Sequence, residues 1–389
     1  MNTNDPLQNG FKSDARAIDN TFILNGIIEK YNALKRPLFI AFIDFKSAFD
    51  KVNRLALLFK MAGQGMHGKF LKIVKSMLGK AKSQVKWNFE LGEIFDNLNG
   101  VLQGGVISPT LFNLFLEDLP RYLGQDYGVK IGNMLVSYLL HADDLVLMAE
   151  TQAGLQKLLD RLNKFCKRWD MIINASKTKI MIFNTKHIFA VDKNNTSFFL
   201  DDSEIKHAEK YKYLGTMISN VSKDPFEFNY PYLRGKALRA IAALRHDVKQ
   251  ALGFRLPIKL FFKSFDAQIR PIADYGCELW CSNSSIHDIE YVQNFFIKTT
   301  LCLRDSTPTP AILGETGRYP LYLKQHELLL RYLNRFDKMD KSRVLYKTFQ
   351  ELKDLDTGGH TTWFTKSQVI KNMYYNTDES INTLDSSSI

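Results

Sequence analysis

Ser137-Tyr138-Leu139-Leu140-His141-Ala142-Asp143-Asp144-Leu145-Val146-Leu147-Met148-Ala149 sets two adjacent carboxylates in the middle of an otherwise apolar run. Successive residues of a strand point to opposite faces, so only a tight turn between two buried strands presents both acids on one rim. Desolvating such a pair is costly unless a cation or strong hydrogen bonds compensate it, and carboxylate oxygen is the ligand type that Mg²⁺ prefers. Two readings stand at this point: a metal site, or an exposed Asp-Asp turn on an edge hairpin.

A second acid lies upstream, in Pro37-Leu38-Phe39-Ile40-Ala41-Phe42-Ile43-Asp44-Phe45-Lys46-Ser47-Ala48-Phe49-Asp50. Residues 37–43 read as a nearly continuous buried strand, which places Asp44 at its carboxyl end, where sites are commonly built. Pairing of this strand beside the Asp143-Asp144 hairpin would bring three carboxylates together, enough for two metal ions to clamp a transferring phosphoryl group. Asp50 reads as a cap or support for a helix beginning near Val52.

Between the acids runs Asn99-Gly100-Val101-Leu102-Gln103-Gly104-Gly105-Val106-Ile107-Ser108-Pro109-Thr110-Leu111-Phe112-Asn113-Leu114-Phe115. Ser108-Pro109 starts a helix whose buried side is Leu111, Phe112, Leu114, Phe115 and Leu119. Gly104 and Gly105 leave the backbone open to a ligand, although a glycine loop before a helix is also plain turn chemistry.

In this order the three segments resemble the reverse transcriptases of non-LTR, LINE-type retrotransposons. Residues 42–50 are similar to the family's first catalytic motif, residues 100–109 to its template-and-nucleotide motif, and Ala142-Asp143-Asp144 to its catalytic core. Ile173-Asn174-Ala175-Ser176-Lys177-Thr178-Lys179 resembles the lysine motif, and Tyr211-Lys212-Tyr213-Leu214-Gly215 the primer-grip hairpin. The resemblance runs from about Leu7 to Arg335.

It implies an RNA-directed DNA polymerase that takes an RNA template, a DNA primer and dNTPs, with Mg²⁺, or Mn²⁺ in its place, held by Asp44, Asp143 and Asp144. Phe45 and Lys46 would offer backbone N–H groups to the triphosphate. Phe49 would exclude a ribose 2′-hydroxyl, its plain alternative being a core aromatic. Gln103 would lie over the incoming nucleotide, with Gly104 and Gly105 letting the backbone approach the template base. Lys177, with Lys179 as second choice, would protonate the leaving pyrophosphate. Lys12 and Arg16, in Gln8-Asn9-Gly10-Phe11-Lys12-Ser13-Asp14-Ala15-Arg16, would grip the triphosphate at the end of the fingers. One departure is His141, where relatives carry a bulky apolar residue or tyrosine; beside the primer end a partly charged imidazole would either perturb metal or primer binding or simply substitute as a flat ring. The other is that the chain begins within the fingers. Both point to the alternative reading, a truncated or decayed copy that keeps the fold and binds primed RNA without extending it.

With 389 residues and 45% hydrophobic content the chain is globular and long enough for two or three domains. No run of eighteen apolar residues appears, and four scattered cysteines fit a reducing compartment, so a soluble intracellular protein is expected, nuclear by the resemblance. None of the cysteines forms a Cys-x-x-Cys pair. The net charge of +11 favours a polyanionic partner.

The expected fold is α+β: a right-hand polymerase palm, built as a small antiparallel sheet with helices, with partial fingers over 1–36, the palm over 37–219, a helical thumb over 220–345 and a polar tail over 346–389, partly disordered after about Tyr375. Thr151 would cap a helix carrying Leu155, Leu158, Leu159, Leu162, Phe165, Cys166 and Trp169, with a strand at 180–183 after it. Residues 192–209 read as a hairpin excursion turning at Asn194-Asn195-Thr196-Ser197. In the thumb, Leu238, Ile241, Leu244, Val248 and Leu252 form one stripe, with Arg234, Lys236, Arg239 and Arg245 outside it as for a helix along a phosphate backbone. Further helices are expected around 258–269, 287–302 and 322–338.

Overall fold

The computed structural model describes residues 5–184, 196–252, 257–283 and 287–375. The chain divides into two compact units, 1–209 and 210–389.

In chain order the first unit contains α1 (Ala17–Ala33), β1 (Leu38–Ile43), α2 (Arg54–Gly63), α3 (Gly68–Gly79), β2 (Lys82–Trp87), β3 (Glu90–Asp96), α4 (Ser108–Leu116), α5 (Leu119–Leu123), β4 (Val129–Ile131), β5 (Met134–Val136), β6 (Tyr138–His141), β7 (Asp144–Ala149), α6 (Gln152–Trp169), β8 (Lys179–Phe183), β9 (Phe199–Leu200) and β10 (Ser203–Glu204). Its heart is a four-stranded antiparallel sheet in the order β6-β7-β1-β8. Every residue of β1 is buried, as its unbroken apolar run requires of a strand flanked on both sides. Registers run from Phe39↔Ala149 to Ile43↔Leu145 against β7, and from Leu38↔Phe183 to Phe42↔Lys179 against β8.

Helix α6 packs on β7 and β1 through Leu155, Leu158, Leu159, Leu162, Phe165 and Cys166, each burial contributing roughly 1.5–3 kcal/mol for the larger side chains. Its N-terminus is closed by Thr151, whose Oγ1 accepts from Gly154 N at 3.1 Å. Helix α1 packs against the same sheet and is buried from Asp19 to Ile28. The segment before it lengthens the sheet edge: Gln8 bridges Leu140 in parallel, with Asn9 N donating to Leu140 O at 2.9 Å and Leu140 N to Leu7 O at 3.0 Å. Residues 5–36 therefore share one compact unit with the sheet. By contrast, the β2–β3 hairpin is exposed at almost every residue.

One local expectation changes. Helix α2 is capped by Asn53, whose Oδ1 accepts from Ala56 N at 3.0 Å, and not by Asp50. Helix α4 begins at Ser108 with Pro109 behind it, as the sequence reads. Of the acidic excursion, the β9–β10 pair is described, whereas Asn194 and Asn195 lie outside the described residues.

The second unit opens on the hairpin β11 (Lys210–Tyr213) and β12 (Thr216–Ser219) and continues as α7 (Asn229–Leu252), α8 (Ile258–Ser264), a π-helical turn Phe265–Ile269, α9 (Arg270–Ala273), α10 (Cys277–Trp280), α11 (His287–Thr300), α12 (Thr309–Thr316), α13 (Leu321–Arg335), α14 (Val344–Thr357) and α15 (Trp363–Tyr375). The boundary between the compact units falls at 209/210, and the hairpin packs with α7: Met217 N donates to Asn229 Oδ1 at 3.0 Å, and Lys210 Nζ lies over the Phe228 ring. The stretch from 346 to 375, expected as a polar tail, is helical and packed. Trp363 is buried, meets Tyr332 and Phe336 edge-on and donates its Nε1 to Glu278 O at 2.7 Å. Residues after Tyr375, where disorder was expected, lie outside the described residues. The buried stripe of α7 is Leu233, Ala237, Ile241, Leu244 and Val248; Ala237 occupies the line and Leu238 is only half-buried beside it. No helix among the described residues is long and apolar enough to cross a membrane.

Candidate active site

Strands β6 and β7 are joined by Ala142 and Asp143, with His141↔Asp144 as the last pair. Ala142 takes φ +58°, in the left-handed region that costs a non-glycine residue about 1–2 kcal/mol. Asp143 in the turn is half-buried and Asp144 on the strand is exposed. Extending the Ile43↔Leu145 register by one residue sets Asp44, half-buried, beside Asp144 on the neighbouring strand.

The backbone of Asp44 is fixed on both sides, its N–H donating to Thr178 Oγ1 at 3.2 Å and its carbonyl accepting from Asn174 N at 2.7 Å. The latter bond flanks an antiparallel bridge, Phe45↔Ile173, whose other flank is Lys46 N donating to Ile172 O at 2.8 Å. The Lys46 N–H is therefore committed within the fold and not available to a triphosphate, contrary to expectation; the Phe45 N–H takes no part in the bridge. Here the lysine-motif segment acts as a brace on the chain that leaves β1.

His141 is half-buried, and its Nδ1 is enclosed with no hydrogen-bond partner among the described residues. Burial pulls its pKa below the ordinary value, against the nearby Asp143 and Asp19, which raise it. Burial thus favours the neutral form of the ring.

Phe49 is half-buried and stacked on Phe112 at 4.4 Å and 16°, with Phe11 edge-on at 6.3 Å. Its remaining exposed part can act as a wall for a ligand. Gln103 Nε2 donates to Asp50 Oδ1 at 3.1 Å. That contact exists because the 50 and 100 loops interlock: Gly100 N donates to Val52 O at 2.8 Å and Val101 N to Phe49 O at 2.9 Å. A β-carbon on Gly100, at φ +81°, would sit 2.7 Å from the Asp50 carbonyl oxygen, so only glycine fits. Gly104, at φ +82°, faces open space.

Arg54, which sequence reasoning missed, holds the same loop from outside. Its guanidinium donates to Gly100 O at 2.8 Å, Asn99 O at 3.0 Å and Asn97 O. Asp50, Arg54, Asn97, Leu102 and Gln103 line a cleft of about 720 Å³.

The remaining expected residues are scattered. Lys12 Nζ donates to Asp5 O at 2.7 Å, which turns it inward, whereas Arg16 is exposed at the start of α1. Lys177 is exposed on a turn, and Lys179 Nζ donates to Ser176 O at 2.6 Å. Among the described residues no group of three or more His, Cys, Asp or Glu is set to hold a metal ion. The register gathers Asp44, Asp143 and Asp144 at one end of the sheet but does not close a three-ligand site by itself. The donor set suits Mg²⁺ in a different way: that ion commonly takes one or two carboxylates and completes its shell with substrate phosphates and water.

In the second unit, Leu214 at φ +45° and Gly215 at φ +86° make the two-residue turn of the β11–β12 hairpin, as a primed turn demands. Tyr275 secures it, its hydroxyl donating to Leu214 O at 2.7 Å while its ring lies 2.7 Å from where a Gly215 β-carbon would stand. Tyr213 is buried, Tyr211 half-buried and Lys212 exposed. Arg234 and Arg245 are not outward-facing as expected. Arg234 Nη1 pairs with Asp288 at 3.1 Å with its guanidinium over Tyr291, and Arg245 Nη2 donates to Thr299 O at 3.3 Å, so both tie α7 to α11. Lys236 and Arg239 are exposed.

The sequence family described as reverse transcriptase (RNA-dependent DNA polymerase) matches residues 1–218. The Pol polyprotein of the type-2 retrotransposable element R2DM of Drosophila melanogaster is 31% identical over 237 residues, covering 59% of this chain and 22% of that protein. The probable RNA-directed DNA polymerase from transposon X-element of the same organism is 24% identical over 327 residues, 78% of this chain and 33% of that one. The RNA-directed DNA polymerase from mobile element jockey, also from D. melanogaster, is 28% identical over 181 residues, 45% of this chain and 19% of its own length. The chain thus spans between about a fifth and a third of these curated relatives.

Proposed function

Because the chain belongs to the reverse transcriptase (RNA-dependent DNA polymerase) family, we propose that it carries the palm and thumb of a LINE-type retrotransposon polymerase and extends a DNA primer on an RNA template with dNTPs. The observation that supports this reading is the β1–β7 register, which runs to Ile43↔Leu145 and so directs the chain entering Asp44 toward the end of the hairpin that carries Asp143 and Asp144.

In the reaction the primer 3′-oxygen bonds to the α-phosphorus of the dNTP, the bond from that phosphorus to the bridging oxygen breaks, and pyrophosphate leaves. Asp44 and Asp143 would hold Mg²⁺, or Mn²⁺ in its place, with Asp144 beside them; the bound ions supply charge neutralisation at the attacking and leaving oxygens. The proton of the 3′-hydroxyl is lost to solvent, and exposed Lys177 delivers one to the pyrophosphate. Phe49 meets the sugar and rejects a 2′-hydroxyl, Gln103 and Gly104 face the base pair being formed, and Arg16 reaches the triphosphate. The hairpin 211–215 grips the primer, and Lys236 and Arg239 lie along the duplex backbone. A nuclear location follows from the same family reading and is checked by imaging the tagged chain.

Primer extension on DNA-primed RNA with Mg²⁺ tests the reading. Wild type is expected to extend, and Asp143→Asn to lose at least about 10²-fold in rate, since removal of one charge-stabilising group typically costs that much. Absence of extension by wild type at high enzyme overturns it. One observation favours a second reading, binding of primed RNA without extension: the acids do not form a three-ligand site on their own. Steeply salt-sensitive binding in the absence of extension would establish that alternative.

A further inference from the structure

Four buried side-chain amides, Gln8, Asn9, Asn20 and Asn113, hold the 8–10 segment and the strand that leads into the turn carrying Asp143. Asn113, on the buried side of α4, donates its Nδ2 to Gly10 O at 2.9 Å and accepts at Oδ1 from Gln8 Nε2 at 3.1 Å. Gln8 Oε1 in turn accepts from Gly10 N at 2.7 Å. Gly10 is therefore held at both its N–H and its carbonyl by side chains that also hold each other. On the other side Asn20 Nδ2 donates to Leu140 O at 3.1 Å, and its Oδ1 accepts from Asn9 Nδ2.

The held glycine lies against the catalytic hairpin itself. A β-carbon at Gly10 would collide with the Ala142 nitrogen and lie 3.0 Å from both Ala142 Cα and the His141 carbonyl carbon. No side chain fits in that gap. Burying amides is costly unless they are satisfied, and a closed network specifies one arrangement where an apolar contact would tolerate several. The arrangement fixed here is the height of the 8–10 segment under a strained turn.

We infer that Gly10 and Asn113 are positioning residues: through the Gln8–Asn113 amide pair they clamp Gly10 beneath Ala142 and so set where the Asp143 carboxylate stands. The clamp links the nucleotide-loop helix α4 to the acid turn without touching substrate. This rests on the polymerase reading above for its kinetic consequence, though not for its structural one. Misplacing a reacting group by about 1 Å can cost on the order of 10²-fold in rate.

The test uses Asn113→Asp and Gly10→Ala. The first keeps the acceptor for Gln8 but sets a carboxylate oxygen against the Gly10 carbonyl; the second forces the segments apart. Both are expected to lower kcat by about 10–10²-fold with KM for dNTP and affinity for primed template changed less than about 3-fold. Asn113→Leu, similar in volume, is expected to lose kcat as well. Hydrogen exchange provides the second readout: peptides covering 138–147 should exchange at least about 10-fold faster in the variants while peptides of α6 stay unchanged. Folded variants with wild-type kcat and wild-type exchange at 138–147 overturn the inference. If wild type does not extend primers, the polymerase reading fails and the exchange result alone decides, faster exchange at the turn supporting the clamp and equal exchange refuting it. If Gly10→Ala does not fold, Asn113→Asp decides by the same two measurements.

Discussion

Lys60 shows what a single residue can report about its surroundings. Its side chain is 6% exposed, yet its ammonium bonds to Asp118 Oδ1 and Phe115 O and lies 3.9 Å from the Trp169 ring centroid, with Phe115 and Phe165 also within reach. Trp169 Nε1 donates to the other oxygen of Asp118, so one carboxylate ties α2, α5 and α6 together. Burial pulls the Lys60 pKa down to about 8, more than Asp118 raises it. Between about pH 8 and the ordinary value of 10.5, the unfolded chain keeps a proton that the folded chain has released. Stability rises with pH wherever the unfolded state binds more protons, so this group's penalty is fully present below pH 8 and fades as pH approaches 10.5. Wild type is therefore expected to gain on the order of 2–3 kcal/mol relative to Lys60→Met between pH 7.5 and 10, measured by urea denaturation of both proteins. A pH-independent difference would show that the ammonium is not desolvated.

At the scale of the element, helix α7 separates basic residues that the sequence presents alike. Arg234 is paired with Asp288 and stacked on Tyr291, whereas Lys236 and Arg239 face outward. Arg234→Ala is expected to cost about 1–3 kcal/mol of stability in the second unit, by leaving partners unpaired, and to change the salt slope of primed-template binding little. Lys236→Ala and Arg239→Ala are expected to leave stability within about 0.5 kcal/mol and each to reduce that slope by about 1. Melting curves and filter binding at several salt concentrations separate the two outcomes. The contrast also marks where sequence reading stops. Strands β1 and β7 and helix α6 were legible because a continuous apolar run and a capped apolar stripe each carry their own local signal. Arg234 was misread because its partner lies 54 positions away. The same holds at the candidate site. The acids stood out by type, but the Asp50–Gln103 contact, the Arg54 clamp and the bridge of Gln8 to Leu140 depend on long-range backbone approach, which Gly10 and Gly100 permit without advertising it. Lys46 was misassigned because the segment that occupies its N–H arrives from residue 172.

At the scale of the molecule, the two units have separate cores, one around the β6-β7-β1-β8 sheet and one around Trp280 and Trp363. Trp363 closes the second core from a stretch whose composition reads as a tail. Trp363→Ala is expected to cost about 3–5 kcal/mol there, through lost burial and the cavity left behind. Calorimetry should show one transition lowered, and exchange should place the loss in 210–375 while sheet peptides of the first unit keep their protection. Equal loosening of both units would mean that they fold as one.

The positive φ of Ala142 bears on which residues the acid turn can accept. Glycine would enter the left-handed region with less strain but could leave it as readily, giving the following carboxylate several directions. Larger or branched side chains raise the strain in a place where the 8–10 segment leaves no room to relax. Alanine is the smallest residue that still restricts its own backbone, so the turn gives up about 1–2 kcal/mol of stability for a single heading.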